Sequence, residues 1–526
     1  MTTQELLDCV TTGAMENIQK VFNSKNKADY QKLKKLFDKQ RFEAKSFDDT
    51  NLDILTFDWQ SLERDRNWWW QLQALPFLNW YANSLALQSD EEKSGYFSLC
   101  VDAVHNWIDQ TKQNKESPLA WHDHASALRA RNLTNWLVFC RAAGLPVSEG
   151  TRTEALGSLI IQHLDWLQED KHYSKRTNHG FDQAMIALTI GLMLGHDDFE
   201  AHRQRNRERL KDEVTFAFTD EGVHKENSPS YQKMMLSRLK QLRTLAPLGE
   251  QEIPHMGERY VDKAEAFLRA ITLPNGYLPM IGDTRGGDEG LPYEQQEQVD
   301  VLDYSASGYV IIRGNDGLGK EFFMLLKNTH ESNYHRHDDD MMIYLFYDGE
   351  VVLGDGGLYN HQEQDEKRKH LRSYLSHSVP YLEKTAIRKK QDLSAGPLIK
   401  INNNREISMC SRMFGEELHR EIKVSHTSAL EVGVRDSLSS GVDGTVCSNF
   451  FFEKKLPFLL GHEVVKCLFS KFVFEVHYSG NAAINLSIGY AEFTDGALVS
   501  KEYGKSEDAA RFSICNKALT LTFRGL

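Results

Sequence analysis

Hydrophobic positions divide the chain into two regimes. Up to about residue 300, apolar residues recur every three or four positions. Examples are ALPFLNWYANSLAL (74–87), YFSLCVDAVHNWI (96–108), LRARNLTNWLVFCRAAG (128–144), EALGSLIIQHLDWLQ (154–168) and FDQAMIALTIGLMLG (181–195). That spacing predicts amphipathic helices. Breakers stand at Pro76, Gly144-Leu145-Pro146 and Gly195-His196-Asp197, and helices joined by short loops pack antiparallel, as an α-hairpin array or toroid. No strict repeat period is present, which argues against a solenoid.

After about residue 300 the runs shorten and become β-rich: SGYVIIRG, EFFMLLKN, MMIYLFY, EVVLGD, CSNFFFE, KFVFEVHYSG and ALTLTFRGL. These predict an antiparallel β domain of two packed sheets. Asp348-Gly349 between MMIYLFY and EVVLGD is the pair preferred by a two-residue type I′ hairpin turn. The expected organisation is therefore a helical domain over 1–300 and an antiparallel β domain over 301–526. The acidic, Gly-rich stretch RGGDEGLPYEQQEQVD leads up to the boundary.

Composition narrows the function classes. The 526 residues carry a net charge of −13, which argues against nucleic-acid binding through a basic surface. No run of 18 or more apolar residues predicts a membrane span. The N-terminus lacks the pattern of a secretory signal. Either the protein is cytoplasmic, or it is periplasmic or secreted and a leader has been removed. The seven cysteines show no CxxC spacing and are expected to be free thiols in a reducing compartment. Local basic segments, Lys367 to Arg372 and Lys384 to Lys390, are suited to an acidic ligand or are simply a solvated loop.

Candidate chemistry concentrates between His330 and His377. His337, Asp355 and His377 offer two nitrogens and one carboxylate, a plausible three-ligand zinc set, with His335 beside it. The plain alternative is solvated loop residues. An ideal hairpin register would also set Asp355 opposite Met342, so residues 337–341 must curl back if the ligands are to meet. Upstream, Asn178 and His179 open a helix, where free N–H groups favour an anion, or Asn178 is only a cap. Tyr231 follows the rigid turn Glu226-Asn227-Ser228-Pro229. Trp121-His122-Asp123-His124, with Arg129, Arg131 and Asn132, places polar groups at the head and along one face of another helix. Trp68-Trp69-Trp70 cannot all face one core, so at least one ring belongs at a surface or cleft.

In this order the motifs (NHG…Q, ENSPSY, HxHD, DGGLY and a late Ser-His) resemble those of the heparinase II/III-like polysaccharide lyases, over roughly residues 120 to 380. The resemblance implies an incomplete (α/α) toroid followed by an antiparallel β-sandwich, with the active cleft between them. It implies catalytic roles for Asn178, His179, Tyr231 and His335, and a structural zinc on His337, Asp355 and His377. Ser376-His377-Ser378 departs from the more usual Ala-His-Asn. Substrate contacts are expected from Trp121, His124, Arg131, Glu226, Arg336 and Arg372.

The expected substrate is an acidic polysaccharide containing uronic acid: glycosaminoglycan-like, alginate or an exopolysaccharide. Cleavage by β-elimination needs the uronate carboxylate neutralised, the carbon-5 proton removed and the leaving oxygen protonated. Asn178 with His335 suits the first task and Tyr231 the last. Tyr231 is also the base in a syn elimination if cations such as Arg336 lower its pKa, and His179 is the base in an anti elimination. The rivals are a glycoside hydrolase, which needs two paired carboxylates, and a non-catalytic polysaccharide-binding or assembly protein. Oligomeric state is left open by the sequence.

Overall fold

The computed structural model describes all residues except 23–24, 61–63, 112–116, 148–150, 296–297, 330–331, 384–397, 404, 414–415, 440, 442, 490–495, 517–518 and 526. By packing, the chain forms two compact units. One comprises Met1–Ala217 with Leu239–Arg259, the other Phe218–Arg238 with Tyr260–Leu526.

The first unit is helical, and all five periodic stretches form helices: Phe77–Ser84, Asp90–Thr111, Asp123–Ala142, Thr151–Gln168 and Asn178–Met193. Asp123–Ala142 packs against Thr12–Phe22, Arg66–Gln73, Phe77–Ser84, Thr151–Gln168 and Asn178–Met193. Surrounded in this way, it is buried on nearly every face from His124 to Cys140, as expected of a central helix. Arg129 lies wholly inside it and donates to the carbonyls of Gln73 and Ala120 and to His163 Nε2. With no acid beside it, burial pushes its guanidinium down to about 9. Arg129 is thus a buried structural cation. Among the described residues no helix is long and apolar enough to cross a membrane.

The second unit holds antiparallel sheets, the predicted class, but three large ones where two were expected. A five-stranded sheet runs Asp300–Tyr304, Tyr309–Asn315, Glu321–Lys327, Met342–Tyr347, Glu350–Leu353, each strand beside the next. Sheets of eight and four strands, and a small pair of strands, Leu498–Val499 with Glu507–Asp508, make up the rest of its β structure among the described residues. The three large sheets share one core, to which the five-stranded sheet sends Val310, Phe322, Met324, Ile343 and Leu345, and the others Ile422, Val432, Phe450 and Phe512. The opposite face of the five-stranded sheet is also buried, with Tyr309 packed on Phe267 of the helix Glu252–Ala270. Burial on both faces explains why EFFMLLK and MMIYLFY are continuous apolar runs and do not alternate.

Asp348 and Gly349 adopt φ of 47° and 89°, the left-handed pair a type I′ turn requires. A bulge between Leu345 and Phe346 then shifts the register, so Asp355 does not face Met342. It instead forms an isolated antiparallel bridge with His377. The expectation of seven free thiols fails. Cys447 and Cys515 are register partners on adjacent strands and form a disulfide, a pairing that 68 residues of separation conceal.

Two buried charged pairs stand inside this unit, one tying a loop to a strand and the other joining two neighbouring strands. Lys327 Nζ lies 2.6 Å from Asp339, and Arg420 grips Asp436 through two 2.7 Å bonds, all nearly inaccessible. Removing one partner leaves a buried charge uncompensated. Lys327→Met is expected to cost about 3–5 kcal/mol in denaturant unfolding, and a loss below about 1 kcal/mol would show that the pair is not holding the turn.

Candidate active site

The helical unit gathers imidazoles around Asp123. Thr177 caps the helix Asn178–Met193 by accepting from the Gly180 amide, so Asn178 is its first residue and not the cap. His179 Nδ1 sits 3.2 Å from Asp123, whose other oxygen lies 2.8 Å from His122 Nδ1. Burial alone would raise the Asp123 carboxyl, but hydrogen bonds from His122 and His179 outweigh it and hold it well below the usual range. His124 stacks on His179 with ring centroids 4.3 Å apart and bonds Asp182 at 2.9 Å. Trp68 and Trp69 are buried, whereas Trp70 is partly exposed, 5.3 Å from His124. Of the three rings, one of which was expected at a surface or cleft, Trp70 is the partly exposed one, although it still packs against the helical core.

The second unit assembles another group from four separate stretches. Pro229 opens the helix Pro229–Gln241, a position where its missing N–H costs nothing. Tyr231, half-buried on the first turn, stacks on His335 with centroids 3.8 Å apart and planes at 25°. Asn227 donates to the carbonyls of Ser332 and Tyr334, which ties the turn before Tyr231 to the loop before His335. Gly282 completes the junction. At φ +58°, a Cβ there would meet the Asn227 carbonyl at 2.6 Å.

His335, itself at φ 53°, is flanked by carboxylates. Nδ1 bonds Asp283 at 2.7 Å and Nε2 lies 3.5 Å from Glu226. Burial pushes the Tyr231 phenol well above its ordinary value. Asp283 and Glu226 push the same way, against Arg368 and Arg285. The hydroxyl is therefore held protonated, the opposite of what a tyrosine base needs. The cations near it are Arg368 and Arg285, not Arg336, which was named as one of the possible basic neighbours.

His337, Asp355 and His377 come together as the hairpin ends and the 377 segment converge. All three side chains are inaccessible, and one ligand atom from each lies within 4.8 Å of the others. His337 Nδ1 and His377 Nε2 have no hydrogen-bond partner, an uncommon state for buried polar atoms. Burial alone would lower the His377 imidazole, but Asp355, Asp339 and Asp338 hold it above its ordinary value. Two imidazoles, a carboxylate and a negative field fit a divalent cation of zinc type.

The expected substrate contacts have varied positions. Arg336 is buried and bonds Asp340 at 2.7 Å, so it faces no solvent. Arg372 is engaged by Glu363 and by the Arg336 carbonyl. Trp121 packs on Trp107, His163 and Trp166 in the helical core. Arg131, partly exposed, lies beside Asn132, and Glu226 is buried 3.7 Å from His224. His330 and the basic residues Lys384, Arg388, Lys389 and Lys390 fall outside the described residues. Asp283 was not read as a site residue, and Arg368 was read only as part of a basic segment suited to an acidic ligand. The one signal for Asp283 is a carboxylate after glycine in the otherwise apolar LPMIGDT.

Comparison with known proteins follows this geometry. The family model for the heparinase II/III N-terminus matches residues 10–303. A crystal structure of heparinase III aligns over 95% of this chain and 85% of its own, at 15% identity and a TM-score of 0.73. A heparan sulfate lyase HepC mutant from Pedobacter heparinus aligns over 95% and 83%, at 15% identity and a TM-score of 0.62. At such identity the likeness concerns the fold, a helical region followed by antiparallel sheets. No curated protein sequence matches the chain.

His361, with its ring 6.3 Å from that of His335, yields a pH prediction. Burial, helped by Arg368, His335 and Arg285 against Asp283, lowers its imidazole to about 4. The unfolded chain takes up that proton near ~6.5. Its stabilising contribution is therefore full above that pH and lost as pH falls towards 4. In His361→Asn the melting temperature should fall less steeply over this window. An unchanged slope would contradict the assignment.

Proposed function

Because the chain belongs to the heparinase II/III family of polysaccharide lyases, we propose that it cleaves a uronic-acid-containing anionic polysaccharide by β-elimination, leaving a 4,5-unsaturated uronate. The observation that carries this reading is Tyr231 stacked on His335, where burial pushes its phenol above the ordinary value. A neutral phenol is a proton donor, so Tyr231 is assigned as the acid that protonates the leaving oxygen. His179 is assigned as the base that removes the carbon-5 proton. Its Nδ1 faces Asp123, which favours the tautomer with Nε2 as acceptor. Asn178, with His335, is assigned to the uronate carboxylate, where charge develops.

The hydrolase reading finds no support in the carboxylates. Asp123 is bonded by two histidines, Asp182 by His124, and Glu226 is buried beside His224 and His335. None is placed as one of a pair flanking a sugar bond. The names of the structural neighbours make heparan sulfate the first substrate to test, ahead of chondroitin-type polymers, alginate and bacterial exopolysaccharides.

In this reading His337, Asp355 and His377 hold a structural zinc, whose chemistry is to tie the hairpin ends to the 377 segment. Tyr231→Phe should lower turnover by about 100-fold or more with unfolding unchanged, followed as ultraviolet absorbance of the unsaturated product. Near-normal turnover would remove Tyr231 from the reaction. Metal analysis should find about one zinc per chain, lost in His337→Ala and His377→Ala. Active protein free of zinc would refute the metal assignment.

A further inference from the structure

We propose that Asp283 is a positioning residue that couples the metal site to the catalytic histidine, with Arg368 aiming it. The inference rests on the lyase reading above for the role of His335. Each oxygen of the Asp283 carboxylate is used twice. Oδ1 accepts from His337 Nε2 and Arg368 Nη1, both at 3.1 Å. Oδ2 accepts from His335 Nδ1 at 2.7 Å and Arg368 Nη2 at 3.1 Å. A carboxylate has about four lone-pair sites, and all four are taken by nitrogen donors.

A carboxylate that merely neutralised Arg368 would need only the two-pronged pair. Asp283 does more, because its two edges face rings with different tasks. Accepting from His337 Nε2 fixes the tautomer that leaves Nδ1 unprotonated, and Nδ1 is the nitrogen on the side of Asp355. A carboxylate behind a ligating histidine both orients the ring and strengthens it as a donor. Accepting from His335 Nδ1 sets the ring plane on which Tyr231 stacks. Arg368, from the helix Glu366–Arg372, is held in turn by Glu363. Gly282 allows the backbone before Asp283 to come within reach of the Asn227 and His335 carbonyls. One rigid anion thus sets two histidines two residues apart in the chain, and loss of the metal should disturb His335 without any direct contact.

An asparagine keeps the shape of Asp283 but replaces one acceptor by a donor, so one edge must face donors it cannot bond. The test measures zinc release to a chelator, together with kcat and KM on the polymer the wild-type protein cleaves. For Asp283→Asn, zinc release should quicken and kcat should fall, each by about 10- to 100-fold, with KM nearly unchanged. His335→Ala should lose kcat yet release zinc at the wild-type rate. Folded Asp283→Asn with wild-type zinc release overturns the proposal whatever its activity, as does protein that takes up no zinc.

If Asp283→Asn does not fold, Arg368→Lys keeps the charge without the fork and should shift both readouts in the same directions. No shift in either would overturn the coupling. A wild-type protein that binds zinc but makes no unsaturated product would defeat the lyase reading alone. The zinc-release comparison would then still decide whether Asp283 positions His337.

Discussion

Residues 335–340 read His-Arg-His-Asp-Asp-Asp, and all but His335 and Asp338 are almost wholly buried in an apolar β unit. Burying an ion costs several kcal/mol unless a partner compensates it, so the surrounding structure is constrained to supply partners. Lys327 answers Asp339, and Arg336 answers Asp340, which also accepts from Ser411. Asp283 answers His335 and His337, and Arg368 answers Asp283. The loop sits at the end of the apolar sheet with its buried charges paired. His335 and His337 are placed by that compensation.

The two units then present different chemistry. In the helical unit a carboxylate, Asp123, is held ionised between imidazoles, and His179 stays partly exposed beside it. In the β unit a phenol is held protonated against a histidine, with carboxylates close by. One environment suits accepting a proton and the other donating one. That contrast in environment is what supports the proposed division of labour between His179 and Tyr231.

Much of this was legible in sequence because local physics governs it. The Asp-Gly turn appears as read, since only a left-handed pair closes a two-residue hairpin. The five periodic helices appear because packing agreed with their pattern. His337, Asp355 and His377 were nameable as ligands, but their meeting depends on a bulge at Leu345 and Phe346 that no periodicity announces. Asp283 was hidden because its partners lie 52, 54 and 85 residues away. Arg336 and Arg372 misled for a related reason. Basic residues beside a site look like ligands for an acidic substrate, yet Asp340 and Glu363 already claim them. The Cys447–Cys515 pair likewise depends on strand register, which residue type does not encode.

The central claim is elimination without water, and the oxygen balance of the products tests it directly. Digestion of heparan sulfate and the other uronate polymers in heavy-oxygen water, followed by mass spectrometry and ultraviolet absorbance, separates the chemistries. The account predicts absorbing, unsaturated ends and fragments that gain no labelled oxygen from the cleavage. Fragments with saturated ends that carry the label would mean hydrolysis, and would contradict the roles given to Tyr231 and His179.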